Sequence, residues 1–186
     1  MPFSILYVCT GNICRSPFAE LLTRALLDAA LGHQEDRVSV ASAGTRGMVG
    51  HAMDATAAAE LRARGVDADG FRARALRRSL IQDADLVLTA TLAHRQLVLE
   101  EEPRALRRTF TIREFADLVQ ITDPAASPQE LVSHAAAMRG SATLEDYDVR
   151  DPIGGSQELH AEVAASIVQA LEPIIGAIVT SPRTRH

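Results

Sequence analysis

Apolar residues fall along the chain in two textures, short unbroken runs and longer stretches with a three-to-four-residue period. Ile5-Leu6-Tyr7-Val8 is of the first kind, apolar at every position rather than at alternate ones. A strand so composed suits a parallel sheet covered by helices on both faces, where neither side meets water. Val38 to Ser42, Leu86 to Thr89 and a short Thr109 to Ile112 read as three further strands.

The periodic stretches lie between them. From Ser16 to about Ala30 the residues Phe18, Leu21, Leu22, Ala25, Leu26 and Ala29 mark one helical face, with Ser16 as N-cap, Pro17 at the first helical position and Gly32 as the stop. Met53 to Arg64 reads as a helix closed by Gly65, and Leu92 to Glu101 as one ended before Pro103. Arg113 to Val119 suggests a helical turn or two, and Ser127-Pro128 opens a helix through Met138. Arg139 to Arg150 is polar and irregular, and a last helix runs from about Gln157 to Val179, with Pro173 as a point of kinking. The alternation β-α-β-α-β-α-β-α predicts an α/β fold, a single doubly wound four-stranded parallel sheet with helices on both faces. Its ligand site belongs at the carboxyl ends of the strands. One domain over residues 1–180 and a C-terminal tail over 181–186 are expected.

Composition narrows the function. With 186 residues and 47% hydrophobic content the chain can bury one substantial core. A net charge of −5 argues against nucleic acid as partner, which would call for a basic stripe. The four arginines between Phe71 and Arg78 (Arg72, Arg74, Arg77, Arg78) read as a solvated face, the alternative being an anion patch. No basic segment precedes the first apolar run, which is broken at Thr10, so a cytoplasmic location is expected. Val163 to Val179 is interrupted by Gln169, Glu172 and Pro173, which fits a core-facing helix and gives no reason to expect a membrane. The two cysteines, Cys9 and Cys14, stand too close in one loop to form a disulfide framework.

The chemistry concentrates in FSILYVCTGNICRS, Phe3 to Ser16, where a strand enters a polar loop and Ser-Pro then opens a helix. Cys9 and Arg15 bracket five residues. Backbone N–H groups converging near a helix N-terminus bind a phosphate-like anion and favour the thiolate form of a cysteine. Gly11 permits tight curvature, and Arg15 can grip two phosphate oxygens. Other phosphate loops are excluded, since G-x-x-x-x-G-K-[ST] needs a lysine and the chain has none, and no G-x-G-x-x-G follows the first strand. No metal or cofactor is expected, because the six histidines (His33, His51, His94, His134, His160, His186) are scattered and read as surface residues or supports of other side chains.

Val8-Cys9-Thr10-Gly11-Asn12-Ile13-Cys14-Arg15-Ser16-Pro17, with Ser42-Ala43-Gly44-Thr45, Asp85-Leu86-Val87-Leu88 and Asp151-Pro152, resembles the low-molecular-weight protein-tyrosine phosphatases over most of the chain. The resemblance implies a phosphomonoesterase in which Cys9 takes the phosphoryl group of an aryl phosphate as a phosphocysteine. Arg15 and the amides of Thr10, Gly11, Asn12, Ile13 and Cys14 would bind the phosphate. Ser16 would hydrogen-bond the thiolate, Asn12 would brace the loop, and Asp151 would act as general acid and then general base. Met48 and Ile153 would stand at the substrate rim, where many members carry aromatic rings. Cys14 is either a core thiol or a redox partner of Cys9. The implied partner is a phosphorylated protein or a small aryl phosphate; oligomeric state is left open.

Two other classes compete. Arsenate reductases of related fold use the same loop, but an internal thiol relay needs further cysteines and none follows Cys14, leaving a version that uses an external thiol. Protein-arginine phosphatases resemble the chain too, but typically carry Thr where Ile13 stands, which favours an aryl ester. The non-enzymatic alternative is a phosphate- or phosphopeptide-binding module that has lost turnover.

Overall fold

The computed structural model describes residues 2–32 and 37–181. Its centre is β1 (Phe3–Cys9), flanked in parallel by β2 (Val38–Gly44) and β3 (Leu86–Thr89), with β4 (Thr109–Thr111) beyond β3, giving the order β2-β1-β3-β4. β1 pairs from Phe3 with Val38 to Cys9 with Gly44 on one edge, and from Ile5 with Leu86 to Val8 with Thr89 on the other. The second strand lies on one side of β1 and the third on the other, so the order reverses at β1. In such sheets the crevice at the carboxyl ends beside the reversal receives the ligand, and the loop after Cys9 leaves from there.

The unbroken apolar run of β1 has the cause its sequence suggests. Phe3, Ile5, Tyr7 and Cys9 join one buried cluster, while Leu6 and Val8 join another on the opposite face. The first cluster packs the sheet against α1 (Arg15–Leu31), α2 (Ala55–Arg62), α5 (Ile112–Ile121), α6 (Pro128–Ala137) and α7 (Gln157–Thr180). The second takes Ile81 from α3 (Arg78–Gln82), Val98 from α4 (Leu92–Glu101) and Ala105 from a 3-10 turn over Pro103–Arg108. Helices on both faces bear out the doubly wound reading.

Several details differ from expectation. α1 begins at Arg15 with Cys14 as its N-cap and no side-chain capping bond, so Ser16 is not the cap and Pro17 stands third in the helix. The Ser16 hydroxyl is engaged elsewhere, with Cys9 and Asn12. The buried face of α1 runs through Phe18, Ala19, Leu22, Thr23 and Leu27, whereas Leu26 and Ala29 are exposed. Thr23 was missed because a lone threonine reads as surface; it is buried against the Tyr7 hydroxyl at 2.9 Å. α2 starts at Ala55, where Asp54 accepts the N–H groups of Thr56 and Ala57, and Gly65 lies three residues beyond its end at φ 77°.

α3 carries no clear period in its five residues and was not foreseen. α5 reaches ten residues instead of a turn or two, because Thr111 and Glu114 cap its first turn reciprocally. A short 3-10 turn over Arg139–Ser141 lies in the segment expected to be irregular. α7 continues through Pro173; nine of its residues are buried, as a core helix requires, although its length and composition alone would suit a membrane span. Apart from Ser181, the expected tail lies outside the described residues.

Candidate active site

The loop from Thr10 to Cys14 is turned inside out relative to an ordinary turn. Its carbonyl oxygens point outward into the segment after β2: Cys9 O accepts from Thr45 N, Thr10 O from Arg46 N, Gly11 O from Met48 N and Ile13 O from Asp54 N, all at 2.8–2.9 Å. With the carbonyls so engaged, the peptide N–H groups of Gly11 to Cys14 have no protein acceptor among the described residues. Successive free N–H groups in a concavity beside a helix N-terminus form an anion cradle. The close approach of the two segments needs Gly44, since a Cβ there would collide with the Thr10 carbonyl oxygen.

Asn12 is the hinge of this curvature. It is the one non-glycine residue with positive φ among the described residues, at 56°, and it is fully buried. Its amide nitrogen donates to Ser16 Oγ at 2.9 Å and Ser42 Oγ at 2.7 Å, and its carbonyl accepts from the Arg74 N–H at 2.8 Å. Asn12 thus braces the loop through one bond to backbone and two to hydroxyls. Ser42 in turn donates to Glu20, which is 5% exposed and paired with Arg24 at 2.6 Å.

With Asn12 donating to Ser16 Oγ, the Ser16 hydroxyl keeps its own proton for an acceptor: Cys9 Sγ stands 3.0 Å away and the Ala43 carbonyl oxygen farther, at 3.4 Å. Asn12→Ala removes three hydrogen bonds and leaves a Cβ in a left-handed conformation, so a loss of about 2 kcal/mol is expected. That corresponds to a fall of roughly 4–8 °C in the thermal midpoint for a chain of this size. Calorimetry of the variant checks it, and Asn12→Gly, which relieves the backbone but not the lost bonds, should fall less.

Arg15 is 4% exposed. Its Nη1 donates to the Val149 carbonyl at 3.0 Å, and Nη2 meets the Asp151 carboxylate at 2.8 Å. The segment carrying Asp151 is anchored to the sheet end, with Val149 N–H on Ala90 O, Leu92 N–H on the Asp148 carboxylate and Arg113 on the Asp148 carbonyl. The Asp151 side chain itself is 52% exposed, at the mouth. The structure therefore brings together Cys9, Ser16 and Asn12 beneath, Arg15 at the side and Asp151 above.

The remaining predicted residues divide. Thr10 presents its hydroxyl to His94 Nε2 at 2.8 Å, and His94 Nδ1 meets the Thr91 hydroxyl at 2.8 Å. Burial, with Arg15 nearby, pushes His94 down to about 4, so it is neutral near pH 7. Met48 packs over Gly11 and is 42% exposed. Ile153 is 51% exposed and touches the site through its backbone, its N–H donating to Asp151 at 3.2 Å. Cys14 is buried outside the nucleophile network; burial, with Asp54 nearby, pushes its thiol up.

His94, Ser42, Glu20 and Arg74 were missed as parts of the site. All four arginines of the 71–78 segment are exposed, yet Arg74 also donates from Nε to Ser42 O at 2.6 Å. No local sequence signal ties these positions to Cys9, because strand pairing and the crossing of segments bring them in from 11 to 85 residues away. His51 is exposed, as expected, whereas His134 is half-buried beside Glu130; His33 and His186 lie outside the described residues.

Comparisons with known proteins agree with this geometry. Residues 4–139 match the model of the family described as low molecular weight phosphotyrosine protein phosphatase. The low molecular weight protein-tyrosine-phosphatase Etp of Escherichia coli K12 is 35% identical over 142 residues, 76% of this chain and 90% of its own. A protein-arginine-phosphatase of Geobacillus stearothermophilus is 36% identical over 148 residues, 78% and 93% of the two chains. The crystal structure of the Erwinia amylovora tyrosine phosphatase AmsI superposes with a TM-score of 0.72 at 26% identity, covering 96% of this chain and 94% of that one.

Proposed function

The chain belongs to the low-molecular-weight protein-tyrosine phosphatase family, a family of cysteine-based phosphomonoesterases, and from that premise we propose that Cys9, Arg15, Ser16 and Asp151 hydrolyse an aryl phosphomonoester in two steps. One observation carries the assignment: Arg15, held at 2.8 Å from the Asp151 carboxylate, shares a helix start with Ser16, whose hydroxyl stands 3.0 Å from the Cys9 sulfur.

The phosphate dianion enters the cradle of Gly11 to Cys14 amides and takes the Asp151 carboxylate's place on Arg15 Nη2. Asp151, thereby released from the guanidinium, takes up a proton from solvent and faces the leaving oxygen as a carboxylic acid. The Cys9 thiolate attacks phosphorus; the P–O bond to the aryl group breaks as Asp151 gives its proton to the departing phenolate. Water then attacks the phosphocysteine, Asp151 takes the water proton, and the S–P bond breaks with the sulfur electron pair stabilised by the Ser16 hydroxyl. Arg15 and the fixed amides are already oriented toward the charge that spreads over the phosphoryl oxygens, so the chemistry asks for no metal.

Relatives named for tyrosine and for arginine phosphatase activity lie at 35% and 36% identity, so identity does not choose between substrates. The exposed Met48 and Ile153 at the mouth, with Ile13 in the loop, support an aryl ester, because apolar side chains contact a phenyl ring better than a guanidinium. A cytoplasmic setting belongs to the same proposal, since it keeps both free cysteines reduced.

The test is a substrate panel run in chelator with an aryl phosphate, a phosphotyrosine peptide, phosphoarginine, and arsenate with glutathione. Turnover of the first two is expected, with kcat/KM for phosphoarginine lower by at least about tenfold. Arsenate reduction without ester hydrolysis would place the chain with the reductases, and phosphate binding without any turnover would make it a binding module.

A further inference from the structure

We propose that Cys14, Asp54 and His160 form a site for one thiophilic divalent cation of the zinc type, and that its occupation inhibits the phosphatase. The three side chains come from the end of the phosphate loop, the N-cap of α2 and the first turn of α7. Their sulfur, oxygen and nitrogen ligand atoms all lie within 4.8 Å of one another. Cys14 and His160 are 4% and 5% exposed, and Asp54 is partly buried.

An ordinary ion pair does not account for this arrangement. His160 Nδ1 stands 3.7 Å from Asp54 Oδ1, beyond hydrogen-bond length, and that same oxygen already accepts two backbone N–H groups at 3.0 Å. Among the described residues the His160 ring has no hydrogen-bond partner. Zinc bonds to N, O and S ligands at a tetrahedral ion put nitrogen and oxygen roughly 3.3 Å apart and each about 3.5 Å from sulfur. The His160–Asp54 spacing of 3.7 Å needs to close by a few tenths of an ångström, and the wider pairs by about 1 Å.

A cavity of about 10 Å³ touches Cys14 and His160 and also Arg15, Glu60 and Pro152, space on the scale of one water molecule. A dication with one thiolate and one carboxylate is electrically neutral, which makes it compatible with the buried Arg15 guanidinium beside it. Binding forms a metal–sulfur bond, breaks the Cys14 S–H bond and sends that proton to solvent; His160 coordinates through Nδ1 and keeps its proton on Nε2.

The ion would tie the phosphate loop to α2 and α7 at the residue preceding Arg15. Drawing Cys14 toward His160 displaces the loop by a distance that matters, since misplacements near 1 Å reduce turnover on the order of a hundredfold. Binding rests on these three side chains alone, and only its effect on turnover rests on the assignment of Cys9 and Arg15 above.

The experiment titrates Co2+ anaerobically into the full chain carrying Cys9→Ser, which removes the competing thiol. A thiolate-to-cobalt charge-transfer band saturating at one equivalent is expected, lost on adding Cys14→Ser and weakened on adding His160→Asn or the cap-preserving Asp54→Asn. Circular dichroism confirms that each variant is folded. In the otherwise native chain, His160→Asn should leave metal-free kcat/KM unchanged and raise the Zn2+ concentration for half-inhibition at least about tenfold. No band in Cys9→Ser, or one that survives loss of Cys14, overturns the site. Equal Zn2+ inhibition of native and His160→Asn chains overturns the regulation. A chain without turnover would refute the catalytic assignment and leave the cobalt result standing.

Discussion

Cys9→Ser is expected to abolish aryl-phosphate turnover, by about 10⁴-fold or more, while phosphate still binds. The sulfur lies at the carboxyl end of the central strand, 2% exposed, with the Ser16 hydroxyl 3.0 Å away. A serine there keeps the size of the cysteine closely enough to leave the loop in place, because the curvature is held by Asn12 and by four outward carbonyl bonds rather than by the sulfur. What changes is the nucleophile. At neutral pH a serine hydroxyl is almost wholly protonated, and the side-chain hydrogen-bond partner at this position among the described residues is another hydroxyl, which cannot act as a base. The anion cradle and Arg15 are untouched, so isothermal titration with inorganic phosphate should give an affinity within a few-fold of the native chain. Turnover surviving in Cys9→Ser would remove the phosphocysteine from the mechanism; loss of phosphate binding along with turnover would show that the sulfur also shapes the loop.

The difference between what was legible in the sequence and what was not follows from how far each contact reaches along the chain. Strand β1 and the loop after it were readable because their determinants are contiguous: apolar residues on both faces, then Gly11 and Arg15 within six residues of Cys9. The helix start was misplaced by two residues, Pro17 expected and Arg15 found, for a physical reason. Ser16 has the chemistry of an N-cap, but its hydroxyl is drawn to the Cys9 sulfur and the Asn12 amide, and α1 begins uncapped beside the site.

The supports behind the loop were not readable. Ser42 and Glu20 look like a strand residue and a surface carboxylate, yet they continue the chain of bonds from Cys9 through Ser16 and Asn12 into the interior. His94 could not be told from a surface histidine, since only the pairing of β1 with β3 carries it to Thr10. Asp151 lies between these cases. Asp-Pro alone marks a turn, and it acquires a role through the Arg15 contact, which spans 136 positions.

That contact sets the second large effect. Asp151→Asn should lower kcat for an aryl phosphate by about 10²–10⁴-fold, the range for removing a positioned general acid, with a small change in KM. An amide has the shape of the carboxyl but neither delivers a proton to phenolate nor takes one from water. It also pairs less strongly with Arg15, so the guanidinium would meet the incoming phosphate with one fewer competing charge; tighter phosphate binding is the expected companion of slower turnover.

The size of the defect should follow the leaving group. A phenol made acidic by a nitro substituent departs with little help, whereas the phenolate of tyrosine needs the proton. The ratio of native to variant kcat/KM, which reports the step that expels the phenol and not the later hydrolysis, should therefore rise from the activated ester to phosphotyrosine, and that ratio across a series of substituted phenyl phosphates is the measurement. A defect of equal size for all leaving groups would mean that the 2.8 Å pair positions Arg15 instead of supplying the proton.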